Sequence, residues 1–334
     1  MNRRIEQLGK LVGNTPMVEI FYDYCGKRGS VFAKLESYNF SGSIKDRMAY
    51  SILFEAFRNG ELKEGMQIAE ATSGNTGIAL CAQGAYLGAK VTIFMPEWMS
   101  EERKKLIKSY GATLREVSRE EDGFAGSVRL ANQYAQENDN VFLPLQFANK
   151  NNTLAHYNNT AQEIEKQLAT QEKTLDVFVA GVGTGGTIMG VGNYFKERNK
   201  DVKICPLEPE GCATMKTGYE RGEHRIQGIG DGFIPEIVKL SELDEVIVAN
   251  DADAILMSQK IAKEIGLGVG ISSGANFIGA IMAKEIYGEE KCVATVFADD
   301  SKKYLSTDLM QEISSQERFY SNKIKLLGFS SIRI

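Results

Sequence analysis

Short apolar, β-branched runs alternate with amphipathic stretches along most of this chain, and that alternation restricts its fold more than any other feature. Residues 31–35, 67–71, 90–95, 113–117, 141–144, 176–180, 202–207, 245–249 and 292–297 have the length and composition of strands. Between them, residues 46–58, 76–87, 101–109, 155–168 and 252–265 carry helical patterns. In the first of these, Ala49, Ile52, Leu53, Ala56 and Phe57 recur at i, i+3, i+4, i+7 and i+8, the stripe of a helix buried on one side. Strands alternating with helices predict an α/β fold, with mostly parallel sheets flanked by helices. At 334 residues the chain has room for about two domains. The joints are expected near residues 40 and 150, giving a smaller domain over 40–150 and a larger one from 1–39 and 151–316. Residues 317–334 have no place in the alternation and read as an appended tail.

Charge and composition remove whole classes of function. Lys and Arg total 39 and Asp and Glu 44, a formal charge of −5, so no field gathers nucleic acid or anionic lipid. No apolar run approaches the ~20 residues that span a bilayer. The charged first ten residues lack the apolar core of an export signal, so a cytoplasmic protein is expected. The cysteines (Cys25, Cys81, Cys205, Cys212, Cys292) are scattered, and only His156 and His224 complete the soft-ligand set, so no metal site is expected.

In open α/β sheets ligands sit where strands end and helices begin, and four such loops have unusual composition. The first, Asn39-Phe40-Ser41-Gly42-Ser43-Ile44-Lys45-Asp46-Arg47, brings a lysine to a helix start. The positive local field there disfavours the charged amine, as Schiff-base chemistry requires, although a solvated turn lysine reads the same way. The second, Ala71-Thr72-Ser73-Gly74-Asn75-Thr76-Gly77, offers more hydroxyl and amide groups than one helix cap uses, an arrangement suited to a carboxylate. The third, Gly181-Val182-Gly183-Thr184-Gly185-Gly186-Thr187, can turn successive N–H groups onto a phosphate. It also satisfies the dinucleotide fingerprint, with Glu208 and Glu210 near the distance of a ribose-binding acid. The fourth, Gly270-Ile271-Ser272-Ser273-Gly274-Ala275-Asn276, presents hydroxyls that either cap a helix or meet a heteroaromatic nitrogen.

As a set, in this order and at these spacings, the loops resemble the pyridoxal-phosphate enzymes of fold type II (tryptophan synthase β-like). The nearest branch is the cysteine synthase and cystathionine β-synthase group. The resemblance runs from Gly13-Asn14-Thr15-Pro16 to about Leu309 and takes in Gln146-Phe147, Gly228-Ile229-Gly230 and Tyr304-Leu305-Ser306-Thr307. It implies two domains with pyridoxal 5′-phosphate in the cleft between them, a small amino-acid substrate and a homodimer. Lys45 would carry the cofactor and shuttle the α-proton. Asn75 would contact the pyridoxal 3′-oxygen, and Gly183, Thr184, Gly185, Gly186 and Thr187 would cradle the phosphate. Ser273, or its neighbour Ser272, would face the pyridine nitrogen. Thr72, Ser73, Gly74, Thr76 and Gln146 would bind the substrate carboxylate. His156 is expected to be structural and His224 a solvated loop residue.

Two positions depart from the pattern. The family's usual Asn-Pro is Asn39-Phe40 here, and its usual G-I-G-A-G-F-I-P reads Gly228-Ile229-Gly230-Asp231-Gly232-Phe233-Ile234-Pro235. A carboxylate at Asp231 would repel incoming hydrosulfide, and it could deprotonate a water or thiol. The reading that follows is a lyase-type β-replacement, L-cysteine + water → L-serine + hydrogen sulfide, through an aminoacrylate. The alternatives are cysteine synthase activity on O-acetylserine and sulfide, or replacement by a second thiol to give lanthionine or cystathionine. Aspartate is also common in glycine-flanked turns, so the same residue reads as a plain turn former.

Overall fold

The computed structural model describes residues 2–218 and 222–334. Its strands are β1 (Met17–Tyr24), β2 (Lys27–Leu35), β3 (Gln67–Ala71), β4 (Lys90–Pro96), β5 (Thr113–Val117), β6 (Val141–Phe142), β7 (Val177–Gly181), β8 (Lys203–Pro209), β9 (Ile247–Ala249), β10 (Val293–Phe297) and β11 (Ile324–Ile332). They form a seven-stranded sheet ordered β11-β1-β2-β10-β7-β8-β9 and a four-stranded sheet ordered β5-β4-β3-β6. The smaller sheet is parallel throughout, and so is the larger from β2 to β9. This is the α/β architecture that the alternation implies.

Both faces of the large sheet are covered. One carries the Asp251–Ile265 and Ile271–Tyr287 helices, with Ile255, Phe277 and Ile278 in its core. The other carries the Ala161–Ala169 and Gly186–Arg198 helices, with Ile164, Ile188 and Val191. The Lys45–Asn59 helix buries Met48, Ala49, Ile52, Leu53 and Ala56 in the core beside the small sheet and stops at Gly60, a left-handed cap. Ile5 and Leu8 of the Asn2–Gly9 helix join that same core, although the sequence assigns residues 1–39 to the larger domain.

Three elements differ from expectation. β1, absent from the sequence reading, makes a hairpin with β2 through a tight turn in which Cys25 and Gly26 take φ of 52° and 84°. The mirror-image hairpin turn needs such angles, and Asn-Gly is its usual signal. The tail beyond residue 316 is part of the fold, because β11 pairs antiparallel along β1 and forms the sheet edge. The expected helix over 155–168 is broken: a helix over Lys150–Ala155 and one over Ala161–Ala169 flank a π-helical turn at His156–Thr160. Among the described residues, no helix is long and apolar enough to cross a membrane.

The loop before Lys45 joins the two sheets. Ser43 bridges to Asp299 just past the end of β10, and the Ile44 amide donates to the Ala298 carbonyl (2.9 Å). Lys45 thereby opens its helix in the cleft between the layers.

Candidate active site

Lys45, Thr72, Ser73, Asn75, Thr76, Gln146, Thr184, Thr187, Asp231 and Ser272 line one cavity at the carboxyl ends of the strands, so all four loops converge there. Lys45 is half-buried in its wall. Desolvation pushes its amine below the ordinary lysine range, and the nearby carboxylates of Asp231 and Asp299 oppose that shift. The helix that starts at Lys45 is anchored two residues on. Arg47 is paired bidentately with Glu36 (2.6 and 2.9 Å) and with Glu163 (2.7 and 2.7 Å), and Lys34 completes the network on Glu163 (2.7 Å). These groups are buried, so each charge depends on its partner. Although burial opposes it, the Arg47 guanidinium holds the Glu163 carboxyl down at about 2.

The Thr72–Thr76 loop is fixed from behind. Thr76 donates to Gln146 Oε1 (2.7 Å), Gln146 Nε2 to the Ala71 carbonyl (2.7 Å), and the Gln146 amide to Glu70 (3.2 Å). Asn75 donates to Asp299 Oδ2 (2.7 Å) and accepts from Lys303 Nζ (3.1 Å), which sets the orientation of its amide. Asp299 Oδ2 also accepts from Tyr304 (2.8 Å). The sequence reading passed over Glu70, Asp299 and Lys303. A signal for Asp299 did exist: an acid directly after the last parallel strand stands where α/β sheets place ligands.

At the third loop, the backbone N–H groups of Gly183, Thr184, Gly185 and Thr187 have no partner among the described residues. They surround the N-terminus of the Gly186–Arg198 helix, next to the hydroxyls of Thr184 and Thr187 in the cavity wall. That donor set suits a phosphate. His156 supports it from the π-helical turn, with Nδ1 2.9 Å from Thr160 Oγ1 and Nε2 3.3 Å from Thr187 Oγ1. Burial keeps His156 neutral, its pKa far below the usual histidine range. At the fourth loop, Ser272 lines the cavity while the fully buried Ser273 Oγ has no partner among the described residues. A phosphate cradle, an orphaned buried hydroxyl and a lysine around one cavity fit a phosphorylated heteroaromatic aldehyde. The ribose role considered for Glu208 is ruled out, because it accepts the backbone amides of Met215 (2.8 Å) and Lys216 (3.1 Å).

Asp231 lies in the same wall. It sits in a turn where Gly228, Gly230 and Gly232 take φ of 96°, 70° and 81°, so the turn needs glycine at each alternate position. The Gly230 amide donates to the Val182 carbonyl (2.9 Å), which ties the turn to the phosphate loop. Burial raises the Asp231 carboxyl above the ordinary range, and the Lys45 ammonium opposes the shift. His224 is not the solvated residue expected. The Ile226 amide donates to its Nδ1 (3.2 Å), which leaves the proton on Nε2 to donate to the Gly230 carbonyl (2.9 Å). The imidazole therefore braces the turn that carries Asp231.

Against known proteins, residues 8–299 match the family model of the pyridoxal-phosphate dependent enzymes. The chain belongs to that family. Its cofactor is accordingly pyridoxal phosphate, as the loops led one to expect. Cysteine synthase B of Campylobacter jejuni is 44% identical over 306 residues, 91% of this chain and 98% of that one. The crystal structure of a hydrogen sulfide-producing enzyme from Fusobacterium nucleatum superposes with a TM-score of 0.97 at 51% identity, covering 100% of both chains. An Asp→Asn variant of that enzyme, in complex with an α-aminoacrylate intermediate, gives the same TM-score and identity over 99% of this chain. Cysteine synthase from Entamoeba histolytica has a TM-score of 0.84 at 37% identity, over 94% of this chain and 93% of that one. This pyridoxal-phosphate enzyme is thus one of a set that acts around cysteine.

Proposed function

We propose that this enzyme replaces the thiol of L-cysteine by water, giving L-serine and hydrogen sulfide. The observation that carries the reading is Asp231, a carboxylate with a raised pKa in the cavity wall, close enough to Lys45 for each to shift the other. The captured Asp→Asn variant of the Fusobacterium enzyme supports an aspartate-dependent step after loss of sulfide.

When bound, pyridoxal phosphate supplies an electron sink for the α-carbon. Gly183 to Thr187 would hold its phosphate, Ser273 its ring nitrogen, Asn75 its 3′-oxygen and Lys45 its aldehyde carbon. The substrate carboxylate would lie on the loop of Thr72, Ser73, Gly74 and Thr76, with Gln146 behind. Lys45 Nζ, its proton affinity lowered by burial, takes the α-proton of L-cysteine and later returns it to the same carbon. The C–S bond breaks with its electron pair on sulfur, which leaves as hydrosulfide. Asp231 removes a proton from water as the oxygen forms the new bond to the β-carbon, and that proton balances the departing hydrosulfide. A raised carboxyl pKa makes Asp231 a better base than a surface aspartate. Its negative charge disfavours hydrosulfide as the incoming nucleophile.

The test is to supply L-cysteine alone and measure products. Sulfide and serine in equal amounts are expected. Faster turnover of O-acetylserine with sulfide would assign the cysteine synthase reaction of the Campylobacter relative, and lanthionine would mean that a second cysteine outcompetes water. We further propose a cytoplasmic homodimer, on the family resemblance alone, which analytical ultracentrifugation and cell fractionation check.

A further inference from the structure

Arg103 is the third residue of the Glu101–Ser109 helix and is only 1% exposed. Two of its guanidinium nitrogens, Nε and Nη1, have no hydrogen-bond partner among the described residues. Its charge also lies in the first helical turn, where the backbone field disfavours a cation. A buried charge is costly unless an anion answers it. Arg103 forms no ion pair with an acid among the described residues: Asp299 Oδ2 accepts from Asn75 and Tyr304, its buried Oδ1 has no partner there, and Asp231 faces Lys45. The Tyr304 ring lies 4.6 Å from the guanidinium carbon, so the arginine packs on a neutral aromatic group that supplies no opposite charge.

The place of this side chain tells what would answer it. Arg103 lines the cavity together with Thr72, Ser73, Asn75 and Thr76. At Gly74, a Cβ would lie 2.3 Å from Arg103 Cδ and 2.4 Å from Nε, so the loop backbone passes directly over the arginine. Gly74 has a φ of 156°, and its glycine is required by that close approach. The open N-terminus of the Asn75–Leu87 helix points to the same spot. A cation without an anionic partner among the described residues and a helix N-terminus therefore converge on one short loop.

We propose that Arg103 is the counter-charge for the substrate's α-carboxylate, acting through the Gly74 loop. The proposal rests on the carboxylate site given under the proposed function. It predicts that the arginine is felt by acids and not by neutral analogues of the same shape.

The test is equilibrium titration of the holoenzyme with L-serine and with L-serinamide, followed by the absorbance of the bound cofactor. Arg103→Met is expected to weaken L-serine binding about ten- to hundredfold, the effect of losing a charged partner, and to leave L-serinamide unchanged. Arg103→Lys, which keeps the charge but not the fork, is expected to recover part of the L-serine affinity. Equal losses for both ligands, or no loss for L-serine, would overturn the proposal. Should Arg103→Met fail to fold, Arg103→Lys decides the matter: a loss confined to L-serine supports the assignment and an indiscriminate loss refutes it. The titration reads binding rather than turnover. Failure of L-cysteine to yield sulfide would therefore remove the proposed reaction and leave this result standing.

Discussion

Replacing Glu163 by Gln removes one charge from the buried network behind Lys45 and preserves its shape. Glu163 faces Arg47 and Lys34 at 2.7 Å each, and its side chain is 10% exposed. A carboxyl held at about 2 instead of its ordinary 4.5 stabilises the fold at pH 7 by about 3 kcal/mol. Breaking a buried pair while its partners stay charged costs about 3–5 kcal/mol, so two routes give the same size of effect. The sign with pH follows from a lowered folded-state pKa. The contribution is complete above about pH 5 and disappears as pH falls through 4.5 towards 2. Urea unfolding of wild type and Glu163→Gln, at neutral pH and near pH 3, measures the difference directly. A gap of about 3 kcal/mol at neutral pH that narrows markedly in acid is expected. A gap below about 1 kcal/mol at neutral pH, the size of an exposed pair, would refute the reasoning, as would an equal gap at both pH values.

Asp231→Asn should retain sulfide release in the first turnover and slow serine formation by about 10²–10⁴-fold, the range of a lost general base, as rapid-quench product analysis would show. Serine formation should fall in acid through a pKa above 3.8, because Asp231 must be deprotonated to act and burial raises it; a pH–rate profile in which Asp231→Ala abolishes that limb checks this. Gly74→Ala should raise KM for L-cysteine and lower the melting temperature, since the added methyl collides with Arg103 at a φ that L residues rarely adopt. Lys45→Ala should stop turnover and allow dialysis to remove the cofactor without reductant, which absorbance of the retentate reads.

How far the site could be read from sequence depended on whether its groups were neighbours in the chain. The four loops were legible because each packs its chemistry into seven to nine consecutive residues at a strand–helix junction. Asp231 was legible because one residue changed character inside an otherwise familiar run. Arg103, Asp299 and Lys303 were not, because an ordinary helix brings Arg103 to the cavity and a charged loop brings Asp299 and Lys303 only as far as Asn75, which both contact. His224 reads as a loop histidine until the folded turn supplies the Ile226 amide and the Gly230 carbonyl as its two partners. In the fold, the parallel strands declare themselves by near-continuous apolar runs. β11 does not, since Gly328, Ser330 and Ser331 interrupt its pattern and its one strand partner among the described residues, β1, lies some 300 residues earlier. The break at His156–Thr160 has no sequence mark either, and it is the feature that turns His156 towards Thr187.

The most direct test of the proposed reaction is turnover of L-cysteine alone in isotopically heavy-oxygen water, with sulfide and labelled serine quantified together. One labelled serine for each sulfide is expected. Sulfide with pyruvate or lanthionine in place of serine, or no sulfide at all alongside rapid use of O-acetylserine, would contradict the role given to Asp231.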